Sequence, residues 1–225
     1  CNPIQYAEHR KTLENVICTA GKFGATHVST FAGAWEGKPV ESAYEEFGKV
    51  FRELADLAEE KGVKLGIENC LMDGTWEHAT CNIGFNPKAW EVMFEEVKND
   101  NFGLEWEPTH QMVQLIDPVT ELRKWCKKIV HIHGKDATID WDAVRHSGIS
   151  GAVPFVWHRM PGFGDTNWRD IISILRSNGY EDDICIEGYH DPVYSGELEM
   201  TGQLHALNYL KWCRGGEFTP TPWEK

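Results

Sequence analysis

Four short segments of the sequence end on a residue able to hold a cation or move a proton. They are Glu68 in V-K-L-G-I-E-N, Glu107 in F-G-L-E-W-E, His133 in I-V-H-I-H-G and Glu187 in I-C-I-E. Residues two apart in an extended strand share a face. Strict alternation therefore puts Glu68 with Gly66, Glu107 with Glu105, His133 with His131 and Glu187 with Cys185. Leu65, Ile67, Leu104, Trp106, Val130 and Ile132 are expected on the opposite face. Three carboxylates and one imidazole at equivalent strand ends suit a divalent ion with oxygen and nitrogen ligands, such as Mn2+, Mg2+, Co2+ or Zn2+. Without a cation, carboxylates gathered this closely would raise one another's pKa. Each alone reads equally well as a solvated strand-end residue; four at matching positions point to a shared mouth. Glu105 and His131 lie one layer deeper on the same face. Buried polar groups need partners, so these two are expected to pair, directly or through water, in support of the ligands; separate partners are the alternative.

The elements that must position these residues alternate along the chain. Helical spacing of apolar residues predicts helices over 8–23, 41–61, 87–98, 118–127, 167–177 and 198–213. Asn86-Pro87 and Asp117-Pro118 are cap-plus-proline starts. Strands are expected over 25–33, 63–69, 102–107, 129–133 and 184–187. A connection over 134–166 is long enough to be functional or to hold minor elements, and residues 215–225, with two prolines, read as an extended tail. Strand–helix alternation without a break predicts one α/β domain over 1–225, with parallel strands covered by helices. A closed barrel gathers four strand-end residues over one mouth, whereas an open sheet spreads them in a line, so the barrel is favoured.

The bulk properties narrow the classes. The 225 residues hold 35 Asp+Glu against 22 Lys+Arg, a net charge of −13, which argues against a nucleic-acid partner. No apolar run approaches the roughly 20 residues of a membrane helix, and no signal peptide is visible. Seven cysteines, an odd number without C-x-x-C spacing, read as reduced thiols in a cytoplasmic protein rather than as a disulfide framework.

The ordered set G-I-E-N (66–69), W-E-P-T-H (106–110), H-I-H-G-K-D (131–136), H-R-M-P-G-F-G-D (158–165) and I-E-G-Y-H-D (186–191) resembles the sugar-phosphate isomerases and epimerases with the xylose-isomerase-like TIM barrel. Its nearest likeness is to ketose 3-epimerases and proteins acting on keto sugars. The resemblance implies a TIM-type (β/α) barrel of which the last five of eight strands are present. The chain is then expected to be an amino-terminally truncated fragment. It implies one divalent ion, Mn2+ first, on Glu68, Glu107, His133 and Glu187, with Glu68 and Glu187 also the acid/base pair. It places His110 and Arg159 on the substrate. Glu107 departs from the family pattern, which has Asp there. The extra methylene could change denticity, metal preference or occupancy.

The activity that follows is a metal-dependent sugar isomerase or epimerase, removing a proton next to a keto group through a metal-stabilised enediolate. Lys135 is expected to contact a substrate oxygen, or else to form a surface ion pair; Asp136 is a rim residue. His158 is a substrate contact or a capped loop histidine. The partner is a small sugar or keto-sugar, and a homo-oligomer stays open. The main rival is a lyase on the same scaffold, eliminating a β-leaving group from keto-glycosides or keto-inositols. An apurinic-site endonuclease is disfavoured by the charge, and a non-catalytic sugar-binding or partner subunit is kept in view by Glu107.

Overall fold

The alternation of periods is realised as alternating helices and strands in the computed structural model, which describes residues 1–217 and 219–222. Helix α1 (Ala7–Ala20) precedes β1 (His27–Thr30), and α2 (Tyr44–Glu60) precedes β2 (Lys64–Glu68). Helix α3 (Pro87–Glu96) leads to β3 (Phe102–Trp106), and α4 (Thr109–Met112) and α5 (Pro118–Trp125) lead to β4 (Ile129–Gly134). The long connection folds into β5 (Asp136–Ile139), α6 (Trp141–Ser147) and β6 (Val156–Arg159). Helix α7 (Trp168–Ser177), β7 (Ile184–Ile186) and α8 (Glu199–Cys213) follow. In the expected tail, residues 218 and 223–225 lie outside the described residues; 215–217 and 219–222 carry no helix or strand.

The main sheet has the order β1-β2-β3-β4-β7, with β1 to β4 parallel, and β5 and β6 form a separate antiparallel pair. This is an incomplete α/β barrel, five strands of the eight that a closed one needs. The chain packs as two units. The first is Cys1–His133 with Asp182–Cys185, and the second runs over Gly134–Glu181 and onward from Ile186. Among the described residues no helix is long and apolar enough to cross a membrane.

Local chemistry sets the helix starts. Asn86 and Asp117 each accept a backbone N–H from the first turn, from Lys88 and Thr120, with proline at the first helical position. Asn167 caps α7 through the N–H of Asp170. In the first unit the outer face of the sheet is covered by aromatic rings. Phe47 and Phe51 of α2 stack at 4.6 Å and lie 6.2 and 6.1 Å from Phe102 of β3, with Phe94 of α3 at 5.7 Å. Burial of each such ring contributes about 1.5–3 kcal/mol. In the second unit Trp168, Ile171 and Leu175 of α7 are buried, and α7 packs against α8.

Strict alternation fails at one place, and the failure positions the site. Leu104 of β3 lies opposite Ile129 of β4, but Glu105 lies opposite His131. Val130 is thus the extra residue of a β-bulge. Its side chain sits over Gly66 and Gly103: a Cβ on either glycine would come within 2.8 or 2.6 Å of a Val130 methyl. Val130 therefore lies on the inner face, not the outer face expected for it, because the bulge gives β4 two successive inward residues. Beyond it, Ile132 opposes Trp106 on the buried outer side, and His131 and His133 stay inward.

A Cβ on Gly103 would also run into the Lys128 carbonyl oxygen. Gly103→Ala is expected to lower stability by about 1–3 kcal/mol in urea unfolding. Gly21→Ala, at a helical φ of −62° with only an ordinary contact, is expected to leave stability unchanged or raise it by less than about 1 kcal/mol.

Candidate metal centre

In the first unit the strand ends bring Glu68, Glu107 and His133 together. Nδ1 of His133 lies 3.7 Å from Oε1 of Glu68 and 3.6 Å from Oε2 of Glu107. Its other ring nitrogen, Nε2, lies 3.2 Å from Oε1 of Glu105. The second oxygen of Glu107, Oε1, is 2.8 Å from Nε2 of His110. Glu107 is the most enclosed of the group, its side chain 1 % exposed.

His110 stands on α4, the short helix that starts directly after Pro108. The sequence reading stopped at Pro108 as the end of a strand and missed this turn of helix. One turn carries residue 110 back beside residue 107. Burial alone would lower the pKa of His110, but the Glu107 carboxylate and Cys70 outweigh it and push it up to about 10. Burial works against the charge of Glu105 as well, yet His133 and the Ser29 hydroxyl hold its carboxyl below the usual carboxylate range.

Glu105 and His131 are in-register neighbours across β3 and β4. The donor atoms of His27, Glu105 and His131 lie within 4.8 Å of one another, the reach of one bridging water. The direct partner of Glu105 is His133, while His131 stacks on His27 at 4.0 Å. Burial and then His27 hold His131 below the usual histidine range.

Two asparagines fix the backbone under these side chains. Asn69 donates to the carbonyl of Glu107 at 2.9 Å and accepts its N–H at 2.8 Å. Asn82 donates to the carbonyls of Glu68 and Cys70 and accepts the N–H of Ala32 and Gly84. Both are fully buried. The sequence reading missed both. Asn69 carried a signal in G-I-E-N, where a side chain with both a donor and an acceptor follows a strand-end acid; Asn82, in a polar loop, carried none. A cavity of about 320 Å³ opens beside the group, with Leu13, Val16 and Phe31 on its apolar side and Ser29, Glu68 and Glu105 on its polar side.

The donor set fits a divalent ion. Two carboxylate oxygens face one imidazole nitrogen, and the other nitrogen of that ring is engaged by a third carboxylate, as a metal-bound histidine requires. Glu68, Glu107 and His133 are the residues of the first unit that would hold it.

The second unit holds the remaining sequence-derived candidates. Glu187 follows β7; its N–H donates to the Gly134 carbonyl, and its Oε1 lies 2.9 Å from Nζ of Lys135. Lys135 is 3 % exposed and Glu187 28 %, so the ion pair is half-buried rather than at the surface. Asp136 is also buried rather than on a rim, and accepts the N–H groups of Ala137, Gly162 and Thr166. Arg159 is held by Asp191 at 3.3 Å and lies over the Phe163 ring at 5.8 Å. His158 meets the ring of His190 edge-on at 5.4 Å. Asp191, which the sequence reading did not single out, also accepts from the backbone of Met160, Val193 and Tyr194.

Comparison with known proteins bears on this arrangement. A family profile described as xylose isomerase-like TIM barrel matches residues 2–211. The chain is similar to inosose dehydratase of Clostridium tetani (strain Massachusetts / E88), 26% identical over 182 residues, which cover 79% of this chain and 57% of that protein. The chain thus spans little more than half the length of this curated relative. Among solved structures, the IOLI protein with a binding zinc atom has a TM-score of 0.70 at 19% identity, covering 96% of this chain and 73% of that one. L-ribulose 3-epimerase has a TM-score of 0.65 at 16% identity, covering 93% and 69%. Both structural likenesses are of fold alone.

Asn69→Ala removes both bonds to residue 107 and strands a buried N–H and carbonyl. It is expected to lower stability by about 1–3 kcal/mol in urea unfolding. It should also weaken Mn2+ uptake about 10–100-fold in calorimetric titration, and His133→Ala should lose uptake altogether.

Proposed function

The chain belongs to the xylose isomerase-like TIM barrel family, and on that premise we propose that it removes a proton from the carbon next to a keto group of a sugar or keto-polyol. One observation carries the reading: Glu68 and Glu107 both face Nδ1 of His133 while Glu105 engages Nε2. In this proposal Glu187, the fourth strand-end residue of the sequence, joins Glu68, Glu107 and His133 as a ligand, with Mn2+ first and Mg2+, Co2+ or Zn2+ as alternatives. Bound there, the ion would supply positive charge that polarises the substrate carbonyl and offsets the charge left when the proton departs.

The remaining work falls to side chains. Glu68 and Glu187 are the acid/base pair, one taking the α-proton and the other returning one. Lys135 holds one oxygen of Glu187 at 2.9 Å, which fixes the carboxylate for proton transfer. Glu107 is backed by His110 at 2.8 Å and by Asn69, so the longer side chain at this position has a fixed seat. His110, Arg159 and His158 are the proposed substrate contacts. Arg159 is steadied by Asp191.

Two outcomes share the first step. Return of the proton gives isomerisation or epimerisation; loss of a β-hydroxyl or β-alkoxyl group gives elimination. The second is favoured by one specific observation, the name inosose dehydratase borne by the relative at 26% identity.

Incubation of the Mn2+-loaded protein in D2O with a keto-inositol, and separately with a 3-keto-glycoside, is expected to incorporate deuterium at the carbon beside the carbonyl, followed by NMR. Glu68→Gln and Glu187→Gln should each slow this exchange by at least about 10²-fold. An epimer or isomer as product supports the first outcome, and an enone or released aglycone the second. Exchange undiminished in both variants would overturn the assignment of the pair.

A further inference from the structure

The two ring nitrogens of His133 have different neighbours. Nδ1 faces Glu68 and Glu107 at 3.7 and 3.6 Å, and Nε2 faces Glu105 at 3.2 Å. A neutral imidazole has one N–H and one lone pair, and its other hydrogen bond decides which nitrogen carries which. A carboxylate only accepts. We infer that Glu105 fixes the tautomer of His133 by taking its Nε2–H, so that Nδ1 turns its lone pair toward Glu68 and Glu107. Glu105 is then a positioning residue and not a ligand. The inference rests on the metal reading above for its purpose, but not for its geometry.

The surroundings hold Glu105 to this task. It is 6 % exposed, and Ser29 of β1 lines the same cavity wall beside it. The bulge at Val130 brings Glu105 level with His131. His131 stacks on His27 and meets the His133 ring edge-on at 5.7 Å and 88°. The His133 ring is thus fenced on one side by an imidazole and anchored at Nε2 by a carboxylate. A Leu at position 105 would keep the bulk and remove the acceptor. A Gln would keep a neutral acceptor oxygen and remove the charge.

The test reads the tautomer directly. Long-range proton–nitrogen NMR of the cation-free protein, carried to the pH at which the His133 ring is neutral and with its signals identified by their loss in His133→Ala, is expected to show the Nε2–H form. Glu105→Leu should give a mixture of both tautomers and a Mn2+ dissociation constant about 10–100-fold higher by calorimetry. Glu105→Gln should keep the Nε2–H form and bind Mn2+ more tightly than Glu105→Leu does. A neutral wild-type ring in the Nδ1–H form would overturn the inference. So would a Glu105→Gln protein, folded by circular dichroism, that lacks the Nε2–H form. If wild type binds no Mn2+, Co2+ or Zn2+ yet shows the Nε2–H form, the metal reading fails and the tautomer assignment stands.

Discussion

The first unit depends on keeping a carboxylate charged where almost no water reaches it. Glu107 is enclosed, and an isolated buried carboxylate would lose several kcal/mol against its hydrated state. Its neighbours offset that cost one atom at a time. His110 takes one oxygen, His133 faces the other, and Asn69 pins the backbone from both sides. Glu68, Glu105 and His133 continue the network to the edge of the cavity. A site of this kind is set by its supports as much as by its ligands, since any group left unpaired there would be costly.

The second unit solves a related problem with backbone donors. Asp136 and Asp191 are buried in the polypeptide turns they organise, each accepting three main-chain N–H groups. Burial raises the carboxyl of Asp136, while for Asp191 the N–H groups outweigh burial and lower it. The Gly/Pro-rich P-G-F-G-D run lies in the long 134–166 connection; it is tied down by one aspartate from β5 and stacked through Phe163 on Tyr194 and His205 at 4.1 and 4.0 Å.

Much of the sheet was legible because a period of two is a local property. Leu65, Ile67, Leu104 and Trp106 are buried on the outer face, and Glu68 and Glu107 end their strands where alternation put them. The cap-plus-proline starts at 86 and 117 also read true. What failed to show was non-local. Val130 turns inward only because two glycines on other strands leave room for it. Lys135 looked like a rim residue because nothing near it in sequence reveals a partner 52 residues on. Glu105 and His131 were rightly placed on one layer, but the direct partner of Glu105, His133, was not foreseen; it follows from where the bulge sets the register.

The bulge also says something about how this sequence can change over evolutionary time. Point substitutions on β4 alter one contact each, and neighbours can adjust to them. Loss of Val130 is the one change in residue count that the strand can absorb: it would restore simple pairing after Leu104 and leave His131 opposite Glu105 and Ile132 opposite Trp106. It would also empty the space over Gly66 that the Val130 methyl fills. An insertion or deletion without the bulge to absorb it would move the later side chains of the strand to the other face at once. Positions 66 and 130 should therefore change together over time, a larger residue at 66 becoming admissible where β4 is one residue shorter.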